Sequence, residues 1–244
     1  MHVEIRRNAA EAIRDAADLL IGWLREEGAR RVMVAGGNTP LPLYDEIARR
    51  GIDASGIHID VLDEYVGVPN HDPRTCTNLL RRTVAEAWRV APENFSGLSS
   101  EERDAEAAVT AHERRIEGEG GLDAIVLGLG KNGHLGFNEP GSAVDSAARL
   151  LDLDPISVEA NRAWFAGEYA PRQGATVGLR TILGSRRVVL LAFGAGKADA
   201  VRAMIEGPPS SECPASLLQG HRRAHVFLDE AAAARLRSGP SRLT

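Results

Sequence analysis

Four stretches hold side chains able to move protons or bind an anion. In "VLDEYVG", Asp63 and Glu64 stand where an apolar run gives out. A carboxylate at the end of a buried strand is partly desolvated, which raises its proton affinity toward general-base range. An acidic pair at that place also serves as a helix cap or a solvated edge, so its meaning depends on what else is nearby. In "GLGKNGHLGFNEPG", residues 128–141, His134 comes after another apolar run, framed by Gly133 and Gly136, with Asn132 before it and Glu139 five residues on. Imidazole changes charge near neutral pH, and Glu139 is close enough in sequence to orient it or relay a proton. Glycine lets such a loop bend sharply and approach a ligand closely.

Two further turns suit an anion. In "VAGGNTPLPLYDEI", Gly36, Gly37, Asn38 and Thr39 join a strand to a helix that starts at Pro40. Proline fits the first helical position, and the amides at a helix N-terminus attract negative charge. The Gly-Lys-Ser/Thr ending of a Walker loop is missing, and a plain capped turn would look much the same. In "AFGAGKADAV", Lys197 occupies the first turn of the next helix. Cations are disfavoured there, so this lysine either answers a bound anion or projects into solvent. Together the four stretches point to a small phosphorylated substrate and proton-transfer chemistry. His112 lies on the apolar side of a helical pattern and is expected to pack, and no His/Asp/Glu spacing has the form of a metal site.

The elements that must position these residues obey βαβ grammar. From Asn8, an N-cap, Ile13, Ala16, Ala17, Leu20 and Leu24 share one helical face, with Gly28 as a stop. "RVMVAGG", "HIDVLDE", "LDAIVLGLG", "RRVVLLAFG" and "AHVFLDE" are short runs rich in Val, Ile and Leu, mostly separated by helical patterns. Helices are predicted around residues 75–89 and 101–117, the second capped by Ser99 or Ser100. Near-continuous apolar strands between helices predict a mostly parallel sheet buried on both faces, with ligands in the crevice beyond the strands' carboxyl ends. No linker divides residues 1–244, which are expected to form one α/β domain with a frayed "SGPSRLT" tail.

With 29 basic against 34 acidic residues, net charge −5 and no basic cluster, nucleic acid is not an expected partner. No stretch approaches the roughly 20 apolar residues that span a membrane. The two cysteines, Cys76 and Cys213, lie far apart and suggest neither zinc nor disulfide, so a reducing, cytoplasmic setting is expected.

In fixed order, "AGGNTP", "LDEYVG", "GLGKNGHLGFNEPG" and "GAGKADA", with "TVGLRTIL" and "CPASLLQGH", resemble the glucosamine-6-phosphate deaminase (isomerase) family from roughly residue 30 to 230. The resemblance implies a Rossmann-like fold. It also implies conversion of a hexosamine phosphate, glucosamine 6-phosphate, to fructose 6-phosphate and ammonia without metal or cofactor, under the class label hydrolase. His134, supported by Glu139 and held by Asn132, would shuttle a proton between the sugar's ring and anomeric oxygens, and Asp63 would carry the C2 proton to C1. Gly36, Gly37, Asn38, Thr39, Lys197 and Arg162, the last in "EANRAWF", would hold the substrate and its phosphate, with residues 152–173 as a lid. Some members carry Asp at the position of Asn132, which can hydrogen-bond but adds no negative charge. Regulated members have a basic cluster after the Asn-Glu-Pro loop. Here "SAVDSAARLLD" keeps Arg149 but has Leu151 in place of a lysine, so effector control and its hexamer are not carried over, and a monomer or small homo-oligomer is expected. Three alternatives compete: a galactosamine-6-phosphate deaminase giving tagatose 6-phosphate, a 6-phosphogluconolactonase, and a non-catalytic sugar-phosphate sensor. The lactonase loop runs into Ser-Leu-Phe-Pro, unlike "GHLGFNEPG", and an acidic chain whose first helix leads straight into the sheet is not expected to have room for a sensor's DNA-binding helices.

Overall fold

A computed structural model describes residues 1–26, 28 and 30–237; the "SGPSRLT" tail lies outside the described residues. The strands are β1 (His2–Arg6), β2 (Arg31–Val34), β3 (His58–Val61), β4 (Asp63–Val66), β5 (Phe95–Ser96), β6 (Ala124–Gly128), β7 (Arg149–Asp152), β8 (Gln173–Thr176), β9 (Val188–Ala192) and β10 (Ala224–Asp229). The helices are α1 (Ala9–Leu24), α2 (Leu41–Arg49), α3 (Cys76–Leu80), α4 (Glu102–Gly118), α5 (Pro155–Trp164), α6 (Leu179–Leu183), α7 (Ala198–Glu206) and α8 (Glu230–Ala233).

Seven strands form one sheet in the order β1-β10-β9-β6-β2-β3-β5, every neighbouring pair parallel. Side chains alternate between its faces with the strand period of two. Val32, Val34, Val126 and Leu191 join the core under α1 and α2, whereas Met33, Ile125, Leu127 and Leu190 join the core under α6 and α7. The sheet is therefore covered on both sides, as the apolar runs predict. From β2 the chain proceeds outward to β3, and from β6 it proceeds the other way to β9. The β2–β6 boundary is thus a topological switch point, where the chain segments leaving the two strands diverge and open a crevice.

A second, antiparallel sheet in the order β4-β8-β7 was not legible in the sequence. The chain enters it directly from β3. Leu62 donates its N–H to Val34 O (3.1 Å), continuing the parallel ladder, and its carbonyl accepts Val177 N–H (3.2 Å), continuing the antiparallel one. Buried Glu113 of α4 ties this sheet down, accepting the amides of Gly178 (2.8 Å) and Ala148 (2.5 Å) and the hydroxyl of Thr181 (2.6 Å).

Other differences are local. His2–Arg6 forms an edge strand ahead of α1, whose N-cap is Asn8 as expected, accepting from Glu11 N–H at 3.0 Å. α1 ends at Leu24, before Gly28. The predicted helix over 75–89 is α3 continued by a wider π-helical turn at Arg81–Glu86. Neither Ser99 nor Ser100 caps α4: the N-cap is Glu101, and Ser100 Oγ instead donates to Val68 O at 2.7 Å.

Replacing Glu113 with Ala removes the acceptor of two backbone amides and a hydroxyl in a dry site. A loss of about 2–4 kcal/mol in unfolding free energy is expected from urea denaturation, with Glu113→Gln milder because it keeps one acceptor oxygen.

Candidate active site

At the switch point lies a cavity of about 530 Å³. The loop after β2 contributes Gly36, Gly37, Asn38 and Thr39, the loop after β6 contributes Gly130, Lys131 and His134, β4 contributes Asp63 and Tyr65, α5 roofs it, and Lys197 enters from the turn before α7. Three of the four stretches singled out by chemistry converge through side chains and one through its loop.

His134 is held by its own loop. Its Nδ1 lies 3.0 Å from Glu139 Oε2, so a proton on Nδ1 leaves Nε2 free for a ligand. Asn132 does not hold the imidazole ring. It donates from Nδ2 to the same Glu139 oxygen (2.7 Å) and accepts the backbone N–H of His134 (3.3 Å). The ring lies flat against Gly130, where a Cβ would come within 2.3 Å of Cδ2 and 2.4 Å of Nε2. Arg149 braces the end of the loop, donating to Asn138 Oδ1 (2.9 Å) and Ser142 Oγ (2.8 Å), while Leu151 packs against the core. Burial opposes the charge on Glu139, but hydrogen bonds from His134, Ser157 and Asn132 and the imidazole's charge outweigh it, holding the carboxyl below its ordinary range.

Asp63 is the first residue of β4 rather than the last of β3, and its side chain is almost wholly buried at the cavity wall. Burial, with the neighbouring Glu64 charge second, pushes it up to about 7. Glu64 points away from the cavity. It accepts the amides of Tyr65 (2.9 Å), Cys76 (2.9 Å) and Thr77 (2.8 Å), serving the first turn of α3. The acidic pair is therefore divided, one member a helix cap and the other a base candidate.

Lys197 donates to Leu129 O at 2.5 Å. Burial, and then the charge of Lys131, lower its pKa. Arg162 is not brought to the cavity: it projects from the outer face of α5, 57 % exposed, with Glu159 at 3.6 Å. The predicted lid region does cover the cavity, through Ile156, Ser157, Ala160, Asn161, Ala163 and Trp164. Tyr65, Lys131 and Ser157 are further site residues not singled out from sequence, though Tyr65 and Lys131 lie within stretches that were. His112 is buried and bonds Val61 O at 3.0 Å, as a packed histidine does. Among the described residues no cluster of His, Cys, Asp or Glu has the form of a metal site, and no helix is long and apolar enough to cross a membrane.

The family model for glucosamine-6-phosphate isomerases and 6-phosphogluconolactonase matches residues 4–227. The chain belongs to this family. It is 41 % identical over 227 residues to a glucosamine-6-phosphate deaminase of Streptomyces coelicolor, covering 91 % of this chain and 87 % of that one. It is 37 % identical over 241 residues to one from Shewanella loihica, covering 97 % and 90 %. A solved monomeric glucosamine-6-phosphate deaminase superposes with TM-score 0.91 at 30 % identity, covering 96 % of this chain and 99 % of that one. A 6-phosphogluconolactonase of Thermotoga maritima, at TM-score 0.73 and 20 % identity over 93 % of this chain and 98 % of that one, shares the fold. These relatives correct the class label hydrolase: they are deaminases, and the matching family is named for glucosamine-6-phosphate isomerases together with 6-phosphogluconolactonase. The fold class stands, a Rossmann-like parallel sheet with helices around it.

The buried Asp63 weakens the fold with a definite pH dependence. Its folded pKa of about 7 lies above the ordinary value of 3.8, so folding favours the protonated form. The stability this gives is complete below pH about 4 and is lost as pH rises through about 7. Asp63→Asn stays neutral throughout. Its unfolding free energy, measured by urea denaturation, should therefore gain on the parent protein from pH 4 to 8, the gap at pH 8 reaching at most roughly 4 kcal/mol at 1.36 kcal/mol per pKa unit.

Proposed function

We propose that this chain is a glucosamine-6-phosphate deaminase, acting as one cytoplasmic domain, as a monomer or small homo-oligomer, on a free hexosamine phosphate. The observation that carries the reading is that Asp63, the only carboxylate on the cavity wall among the described residues, shares that wall with a His134 whose Nδ1 is held by Glu139. An aldose-to-ketose conversion needs both: one group to open the ring and one to move a proton between adjacent carbons. The buried free thiols of Cys76 and Cys213 agree with a reducing compartment.

In this reading Nε2 of His134 transfers a proton from the anomeric hydroxyl to the ring oxygen, giving the open-chain aldehyde. The imidazolium formed between the two transfers is stabilised by Glu139. Asp63, as carboxylate, removes the proton from C2 and returns it to C1, while the C1 oxygen gains a proton and the amine loses one. C2 is left at the ketone level of oxidation as an imine, water adds to it, and ammonia departs with fructose 6-phosphate as the other product. A carboxyl pushed up to about 7 is well matched to taking and returning a carbon-bound proton near neutral pH. The loop Gly36–Thr39 at the start of α2 and the ammonium of Lys197 receive the phosphate. Arg162 has no part in that contact, because its side chain faces away. α5 is the lid of this reading, and Asn132 acts through Glu139.

Purified protein should release ammonia from glucosamine 6-phosphate, and Asp63→Asn should lower kcat by about 10²–10⁴-fold. Release only from galactosamine 6-phosphate would move the substrate to the C4 epimer. Silence with both sugars, together with hydrolysis of 6-phosphogluconolactone, would overturn the reading in favour of the lactonase. Gly130→Ala should fold, yet lower kcat by at least about 10²-fold, because a methyl group there displaces the imidazole from Glu139.

A further inference from the structure

Asn132, His134 and Glu139 all belong to the loop after β6, and two of Glu139's hydrogen bonds are internal to it. Both converge on Oε2, from His134 Nδ1 at 3.0 Å and Asn132 Nδ2 at 2.7 Å. The other oxygen, Oε1, accepts from Ser157 Oγ, which also lies 3.4 Å from His134 Nδ1. Ser157 belongs to the first turn of α5, behind the Asp154 cap and Pro155. It is buried, at 4 % exposure. A serine inside a helix usually turns its hydroxyl to solvent or to its own backbone four residues back. This one crosses to a carboxylate on another element.

The same helix roofs the cavity with Ile156, Ala160 and Trp164, and Trp164 Nε1 anchors its far end to Arg74 O at 3.0 Å. The roof helix therefore supplies the third side-chain donor of Glu139's hydrogen-bond set. Resting on the deaminase reading, we propose that Ser157 is a positioning residue for ring opening: it couples the roof helix to the Glu139–His134 pair, so that the pair is fully set only with α5 seated over the sugar.

The donor determines the sign of the effect. A hydroxyl donating to a carboxylate favours its charged form. The groups facing Glu139 are His134, Asn132 and Ser157, of which His134 alone is titratable. Removing the hydroxyl leaves Oε1 without this donor, raises the proton affinity of Glu139 and loosens the imidazole it orients.

The test is steady-state ammonia release from glucosamine 6-phosphate across pH 5–9 for the full chain, for Ser157→Ala and for Ser157→Thr, which keeps the hydroxyl, with melting temperatures measured in parallel. Ser157→Ala should lower kcat about tenfold, the worth of one such hydrogen bond, with KM changed less than kcat and the acid limb of the kcat profile left where Asp63 sets it, near pH 7. Ser157→Thr should recover most of kcat. An active parent protein with Ser157→Ala unchanged in kcat overturns this inference alone. So does a loss equal in both variants, which marks a packing role. A parent protein that releases no ammonia overturns the deaminase reading, and this inference with it.

Discussion

One residue, Leu62, belongs to two sheets through the two peptide groups that flank its Cα. Its N–H extends the β3–β2 ladder and its carbonyl extends the β4–β8 ladder, so the chain exchanges one set of partners for another without leaving a buried polar group unpaired. That exchange constrains the neighbouring residues. Asp63, next in the chain, must sit in the corner between the sheets, too enclosed for water to solvate it and still open to the cavity. The histidine loop crosses Leu62 as well. Gly136 takes a φ of 59°, and a Cβ on it would meet Leu62 Cδ2 at 3.1 Å and Thr176 Oγ1 at 3.0 Å. Leu62 thus bounds both halves of the proposed acid–base pair, Asp63 through its backbone and the histidine loop through its side chain.

The electrostatics of the cavity obey the same logic of partial satisfaction. Asp63 has a like-charged neighbour in Glu64, which is itself bound to the amides of α3, and Lys197 has a like-charged neighbour in Lys131. Burial works against the charged form of both Asp63 and Lys197. A site that holds an acid and a base each beside its own sign is poorly neutralised from within, and a ligand carrying an amine and a phosphate supplies both missing charges. The cost to the free fold resides in groups that the proposed chemistry uses, which is where stability and activity are commonly in opposition.

How much of this was legible depended on whether the signal was local. The parallel sheet was readable because "RVMV", "AIVLG" and "VVLLA" are apolar on both faces and lead into glycine-bearing turns. The loops after β2 and β6 were visible as glycine-rich strand ends, although glycine alone does not separate a ligand loop from a plain capped turn. The antiparallel sheet was not readable. "DEYV", "RLLD" and "QGAT" are four residues each, and their pairing is decided by contacts far apart in sequence, such as Glu113 with the amides of Ala148 and Gly178. The strand "HVEIR" was hidden because an edge strand five residues long, with polar residues between apolar ones, differs little from the lead-in to α1. Ser157 gave no signal at all, because a serine near a helix start reads as a cap.

Arg162 shows the limit most sharply, since there the motif was visible and the direction was not. Ser157, Ala160, Asn161 and Trp164 are spaced i, i+3, i+4, i+7 and form the stripe that faces the cavity. At about 100° per residue, Arg162 lies about 140° around the helix from Ser157, which places it beside Glu159 on the outer face. A neighbouring sequence such as "EANRAWF" does not reveal this, but the periodicity of the whole helix does, because small and amphipathic residues occupy one face and charged ones the other. With the guanidinium turned outward, the cationic charge available to a phosphate in this cavity comes from Lys197 and Lys131, on segments fixed by the parallel sheet. In the proposed function the anion contacts then rest on the loops at the strand ends, and the roof helix supplies shape and the hydroxyl of Ser157.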